Sequence, residues 1–68
     1  MEYQVTYNGY TVEFFGTIEE VDNWIDSKIH KNLSIQKEWS QHIDAFTTIR
    51  IYQYTTLYSE MFLIEKKN

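Results

Sequence analysis

The chain has 68 residues and a mass of 8.3 kDa, a length that allows one domain with a small core. The 10 acidic residues outnumber the 6 Lys and Arg residues, so the formal net charge is -4, which argues against a nucleic-acid binder driven by counterion release. The absence of Cys excludes disulfides and thiolate zinc sites. Apolar runs are shorter than the ~18 residues of a membrane span and the N-terminus lacks a signal-peptide pattern, so we expect a cytoplasmic protein without a membrane partner.

The first predicted element is a β-hairpin with its turn at Asn8 and Gly9. Alternating segments flank this dipeptide, and a type I′ turn needs a positive φ at both central positions. A two-residue turn pairs Val5 with Val12, and the period of two then puts six residues on one face. These six are Tyr3, Val5, Tyr7, Tyr10, Val12 and Phe14. Phe15 falls on the opposite face.

A helix is predicted from about residue 18 to residue 31. Thr17 and Glu20 form a capping-box pattern at its start. A stripe of apolar residues follows at helical spacing, namely Ile18, Val21, Ile25 and Ile29. Trp24 flanks this stripe, and Asn32 fits the position just after the helix, where the backbone often turns left-handed.

Residues 33–45 allow two interpretations. Ile35, Trp39 and Ile43 recur every four residues, as on one side of a helix, although a strand would also put them on one face. The Gln, Lys and Glu residues between them favour helix over strand. We therefore predict a short second helix and keep a strand as the alternative.

The last third of the chain is predicted to be a second hairpin, because residues 47–54 and 58–65 are rich in β-branched and aromatic side chains. In the register that we expect, one face consists of Ile49, Ile51, Phe62 and Ile64. The opposite face, which we call the aromatic face, then consists of Arg50, Tyr52, Tyr54, Met61 and Leu63. A small monomer does not leave such a face in water, so the aromatic face is expected to be covered or to be a contact surface.

These elements predict an α+β fold, with two antiparallel β-hairpins separated by a helical segment and the sheet packed on the helix. The expected order is ββααββ, and the alternative is ββαβββ. Residues 1–68 then form a single compact domain. Its predicted core comprises Val5, Val12, Phe14, Ile18, Val21, Ile25, Ile29, Ile49, Ile51, Phe62 and Ile64. Trp24 and Trp39 are expected to be partly buried.

The sequence contains no pattern that is typical of catalysis, so we expect neither an enzyme nor a cofactor. Asp26 and His30, and likewise Glu38 and His42, are spaced one helical turn apart, but a third metal ligand at a known spacing is missing. We therefore interpret both histidines as surface residues and predict no metal site. The two Gly residues have roles in turns, so nucleophile elbows and phosphate-binding loops are not indicated.

Glu19, Asp22 and Asp26 form an acidic stripe on the solvent side of the predicted helix. Neighbouring carboxylates of such a stripe lie about 5–6 Å apart, a spacing that can imitate the phosphates of DNA. The same residues also suit an ordinary solubilising surface, because a net charge of -4 is common for a small domain.

The leading functional hypothesis is a non-enzymatic protein that inhibits or modulates a partner protein. Phage-type inhibitors of host nucleic-acid-processing enzymes fit this description by analogy, with partial DNA mimicry by the acidic stripe and with Trp39, Tyr52 and Tyr54 as anchors. One alternative is a structural module that forms homodimers through the aromatic face. A third hypothesis, base stacking of single-stranded nucleic acid on the same tyrosines, is disfavoured because few cations surround them.

Overall fold

The computed structural model describes residues 2–29 and 33–67 of the chain. Within these residues the elements are β1 (Glu2–Tyr7), β2 (Thr11–Phe15), α1 (Ile18–Lys28), β3 (Lys37–Asp44), β4 (Thr47–Thr55) and β5 (Tyr58–Lys67). The 5 strands form one antiparallel sheet in the order β2-β1-β5-β4-β3. The fold is therefore α+β in the order ββαβββ, and the expected order ββααββ is wrong.

The predicted second helix is instead the edge strand β3. Glu38 pairs with Tyr52 and Ser40 pairs with Arg50 of the neighbouring strand. This pairing satisfies backbone groups of β4 that would otherwise lie at an open sheet edge. Helix propensity is a weak preference of fractions of a kcal/mol per residue, and the tertiary pairing overrides it here.

The turn of the first hairpin has the predicted conformation but one residue more than predicted. Asn8 and Gly9 have φ angles of 50° and 79°, and the N–H of Tyr10 donates to the carbonyl of Tyr7 at 3.0 Å. Tyr10 remains inside the turn, so Tyr7 pairs with Thr11.

This extra residue shifts the register of β2 by one position. Val5 pairs with Glu13 instead of Val12, and a slip of one residue turns every side chain to the other face. Val12 and Phe14 are 45% and 64% exposed, so their predicted place in the core is wrong. Phe15 packs against the core in their stead.

The start of α1 confirms the predicted cap. The hydroxyl of Thr17 accepts a hydrogen bond from the backbone N–H of Glu20 at 3.2 Å. The helix ends at Lys28, earlier than predicted, because Ile29 already has an extended backbone with ψ 148°. The predicted last turn and the residue that follows it, residues 30–32, lie outside the described residues.

Only the middle of the predicted apolar stripe is fully buried. Val21 and Ile25 face the sheet and are 0% and 1% exposed. Ile18 lies in the first turn and is 39% exposed, so the prediction that it is a core residue is wrong. Trp24 is partly buried, as expected, and its ring meets that of Phe62 edge to face at a centroid distance of 6.1 Å.

The second hairpin also pairs one residue away from the predicted register. Ile51 lies opposite Met61, so Ile49 and Ile51 occupy the side of the sheet that faces away from α1. Tyr52 and Tyr54 point towards α1 and are 6% and 2% exposed. The observed core therefore consists of Val5, Val21, Ile25, Tyr52, Tyr54, Phe62 and Ile64.

The aromatic core contains one buried carboxylate. Glu60 on β5 is 0% exposed and accepts hydrogen bonds from the hydroxyls of Tyr7 and Tyr54, the latter at 2.5 Å. A buried carboxylate is costly unless hydrogen bonds replace its water, and buried tyrosine hydroxyls need acceptors of their own. The hydrogen bonds among these three side chains offset the cost of burying their polar groups, so tyrosines can serve as core residues.

The environment of Tyr7 favours its neutral form. Burial raises the pKa of Tyr7 well above its ordinary value of 10.0, and the hydrogen bond to Glu60 and the charge of Glu60 raise it further. A phenolate at this position would face the buried carboxylate of Glu60, and like charges at a buried site repel each other.

Alkaline pH is therefore expected to destabilise the fold. Because the folded-state pKa of Tyr7 is raised, its contribution to stability is complete below about pH 10 and is lost as the pH rises towards the folded-state pKa. We expect the free energy of unfolding in urea to fall as the pH rises above about pH 10, and to fall less steeply in Tyr7→Phe. Tyr10→Phe is the matched control, since Tyr10 is 90% exposed. If the free energy of unfolding fell equally steeply with pH in wild type and in Tyr7→Phe, the proposed role of Tyr7 would be contradicted.

Candidate functional site

One helix covers only part of one side of this sheet. A helix with its side chains is about 10 Å wide, whereas five strands at a spacing of about 4.8 Å span roughly twice that width. α1 lies over the β1–β2 half of the sheet. Two surfaces remain uncovered in the part of the chain that the structure describes: the whole opposite side of the sheet, and the α1 side of β3 together with the Thr48 end of β4.

The side of the sheet opposite α1, which we call the open face, is apolar on β2 and across β5, β4 and β3, and the polar Gln4 and Thr6 of β1 lie between these two parts. Its apolar residues are Val12, Phe14, Trp39, Ile49, Ile51, Met61 and Leu63. Met61 is 43% exposed even though it lies on the central strand, because none of the described elements packs over it. A soluble monomer rarely exposes an apolar surface across three neighbouring strands, so the open face is the leading candidate for a contact surface.

The structure divides the predicted aromatic face between the two sides of the sheet. Met61 and Leu63 lie on the open face, whereas Arg50, Tyr52 and Tyr54 lie on the α1 side. The expected grouping of these five residues is wrong because the predicted register of the hairpin differs by one residue. Tyr52 and Tyr54 are buried in the core and offer no surface for stacking. The contact role of Met61 and Leu63 remains a prediction.

Trp39, predicted as an anchor, lies on the open face beside Ile51 on the neighbouring strand. The ammonium of Lys37 lies 4.9 Å from the centroid of the Trp39 ring, a cation–π contact. Sequence reasoning missed Ile49 and Ile51 as surface residues because it assigned them to the core. The sequence still indicated a contact surface, because both faces of the β4–β5 hairpin are apolar.

The acidic stripe is exposed along α1 as predicted, and the charge of Asp22 is compensated by a neighbouring strand. Glu19, Asp22 and Asp26 are all exposed. The carboxylate of Asp22 accepts a hydrogen bond from the guanidinium of Arg50 at 3.0 Å. Burial by itself would lower the pKa of Arg50, but the hydrogen bonds to Asp22 and Tyr52 and the charges of these two side chains together outweigh it, and the pKa is raised. Asp22 therefore links the helix to β4 through an ion pair. The negative electrostatic potential of the acidic stripe is weaker than the sequence indicates, because Arg50 neutralises the carboxylate of Asp22.

The histidine pairs do not form a metal site in the described residues. Glu38 and His42 lie on a strand, where four residues span about 13 Å rather than one helical turn. The Nδ1 atom of His42 lies 2.9 Å from the hydroxyl of Thr48. His30, the predicted neighbour of Asp26, lies outside the described residues. Among the described residues, groups of three or more His, Cys, Asp or Glu that could hold a metal ion are absent.

The second uncovered surface contains a cavity of about 310 Å³. Ser40, His42 and Arg50 line it together with the first turn of α1 and the β3–β4 turn. Sequence reasoning missed this site because Ser40 and His42 would point apart on a helix. On a strand, residues two apart share a face, and the pair contributes to one side of the cavity.

Comparison of the chain with protein-family models, with curated proteins and with solved structures found no match. Among the described residues, the helix is too short and too polar to cross a membrane. The two uncovered surfaces and the charges of α1 are the features of the molecule that bear on its function.

We expect Asp22 to contribute to stability and Glu19 not to do so. The side chains of Arg50 and Asp22 are 23% and 52% exposed, so loss of their ion pair in Asp22→Asn should cost about 0.5 kcal/mol. Glu19→Gln removes the same charge without removing that pair and serves as the control. Urea unfolding of the two variants measures the difference, and a double-mutant cycle with Arg50→Gln isolates the pair. Equal free energies of unfolding for the two variants would show that the ion pair between Asp22 and Arg50 adds nothing to stability.

Proposed function

We propose that this protein is a non-enzymatic protein-binding module that makes its contact through the open face. The observation that carries the proposal is the exposed apolar side of the sheet, with Met61 and Leu63 on its central strand and Trp39 on its edge strand. Aromatic residues and Met are enriched in the buried centres of protein interfaces. Contact between these apolar side chains and water is unfavourable. A partner that covers them removes apolar surface from water, which lowers the free energy of the complex.

A second copy of the chain is the occupant that fits the open face best. Five strands at a spacing of about 4.8 Å make a surface about 24 Å wide. The central strands β4 and β5 have 9 and 10 residues, which corresponds to a length of about 30 Å. Such a face is comparable with the roughly 800 Å² that each partner contributes to a stable interface. Two sheets can stack on each other in this way about 10 Å apart.

The charges of β3 favour a particular two-fold arrangement. Lys37 lies at the start of β3, and Asp44 lies at its end in register with Thr47. A two-fold axis that is parallel to the interface and perpendicular to the strands puts Lys37 of one copy over Asp44 of the other. The symmetry repeats this attraction at both ends of β3. An axis parallel to the strands would instead lay β3 of one copy over β2 of the other, so these two charges would not meet.

A single charge on the open face is expected to break the dimer. Met61→Glu places a carboxylate at the centre of the proposed interface, and since Met61 is 43% exposed, the fold of one copy tolerates the change. We expect light scattering on a sizing column to report a dimer for wild type and a monomer for Met61→Glu. Leu57→Glu is the control with the same change of charge, because Leu57 is 97% exposed in the β4–β5 turn. A monomeric wild type across a tenfold dilution, or a dimeric Met61→Glu, would refute the dimer.

Inhibition or modulation of another protein is a second candidate function, for which the acidic stripe provides the supporting observation. Glu19, Asp22 and Asp26 are exposed on α1, on the opposite side of the sheet from the open face. A dimer formed through the open face would leave both stripes accessible. Their chemistry suits a basic groove, such as that of a nucleic-acid-processing enzyme of a phage host. Direct binding of nucleic acid is disfavoured by the negative net charge and the burial of Tyr52 and Tyr54.

Reversal of the stripe separates these two candidates. Glu19→Lys with Asp26→Lys inverts the charge of the helix while Asp22 keeps its bond to Arg50. For a DNA-binding enzyme captured from a bacterial lysate, we expect this variant to bind roughly tenfold more weakly or worse. Glu2→Lys with Glu13→Lys gives the same net charge with both substitutions on β1 and β2 rather than on the helix, and should retain binding. Equal loss in both variants, or a failure of duplex DNA to compete, would refute mimicry of DNA by the stripe.

A further inference from the structure

The cavity on the α1 side of the sheet lies between two cations. Thr48 pairs with Ile64, and this pair forms part of the cavity lining. Arg50 lies one row away on β4, and Lys66 lies one row away in the other direction on β5. Since rows on one face are about 6.6 Å apart along the strands, both long side chains can reach the space above the Thr48–Ile64 pair.

The two cations differ in how far their charges are already compensated. Arg50 donates to Asp22 across the helix–sheet boundary at 3.0 Å. Lys66 is half-buried, and among the residues that the structure describes it makes no ion pair. The backbone N–H of Lys66 donates to the carbonyl of Phe46 at 2.7 Å, which holds the β3–β4 turn beside the cavity. Lys66 is therefore the cation that is available to an anionic ligand.

The walls of the cavity are apolar where they meet solvent. Ile18 from α1 and Phe46 from the β3–β4 turn line it and are 39% and 56% exposed. Tyr3 and Ile64 add apolar surface nearer the sheet. An apolar group that fills this space would cover surface that the fold leaves in water.

We propose that this cavity binds a small carboxylic acid with an apolar body, in the form of its carboxylate. The carboxylate lies at Lys66, within reach of the Thr48 hydroxyl, and the apolar body lies between Ile18 and Phe46. A monoanion matches one uncompensated cation, whereas a phosphate dianion would need a second one. The net charge of -4 of the chain also disfavours multiply charged anions.

The test is a titration of ¹⁵N-labelled protein with 3-phenylpropanoate, followed by amide chemical shifts. We expect saturable shifts at Ser40, Thr48 and Lys66, and roughly tenfold weaker binding in Lys66→Gln, which loses a charge-assisted hydrogen bond. Lys67→Gln is the matched control, because Lys67 points to the open face and pairs there with Glu65 at 3.5 Å. Phe46→Ala is the second variant and should weaken binding without removing a charge.

Two further ligands test the proposed chemistry. The neutral amide 3-phenylpropanamide should bind roughly tenfold more weakly than the acid, and inorganic phosphate should not reproduce the shifts. Binding of the acid and the amide with equal affinity would overturn the proposal, and so would equal binding by Lys66→Gln and Lys67→Gln. Phosphate binding at the same residues with similar affinity would also overturn it. Since the cavity and the open face lie on opposite sides of the sheet, Met61→Glu should still bind 3-phenylpropanoate.

Discussion

β5 pairs with β1 on one side and with β4 on the other, so its register determines the orientation of side chains throughout the sheet. Glu60, Phe62 and Ile64 point towards α1 and are all buried. Met61 and Leu63 then necessarily point away from it, since successive side chains alternate between faces. The alternation explains why an apolar strand serves both a core and an exposed surface, and why the buried carboxylate lies among the tyrosines.

The composition of the core follows from the same register. Tyrosines on β1 and β4 lie on the helix side of the sheet. Unlike aliphatic side chains, each buried tyrosine hydroxyl needs a hydrogen-bond acceptor. Glu60 supplies that acceptor, and its burial is tolerated because two hydroxyls donate to it. A chain with 6 Tyr and a single short helix in its described part can thus close a core without many Leu or Val residues. The polar network also restricts how the sheet and helix can pack, because a shifted register would leave these groups unpaired.

The sequence was sufficient to predict the fold class, the Asn8–Gly9 turn, the cap at Thr17 and the burial of Val21. It was insufficient to predict the two hairpin registers, because each depended on the length of a turn that local preferences leave undetermined. It also failed for 37–44, where helix formers occur in a strand that pairs along β4. The open face and the cavity were missed for these reasons, although the apolar character of both faces of the last hairpin indicated a contact surface.

The two uncovered surfaces have different chemistry, which is why they are assigned different ligands. The open face is broad and apolar, and it places Lys37 and Asp44 at opposite ends of an edge strand, as a two-fold contact requires. The cavity is small and concave, and it combines apolar walls with Lys66, as recognition of a small anion requires. A sheet packed on both sides would have neither surface, but a chain of 68 residues has only one helix in its described part to cover five strands. The incomplete cover leaves the proposed dimer contact and the proposed ligand site on opposite sides of one sheet.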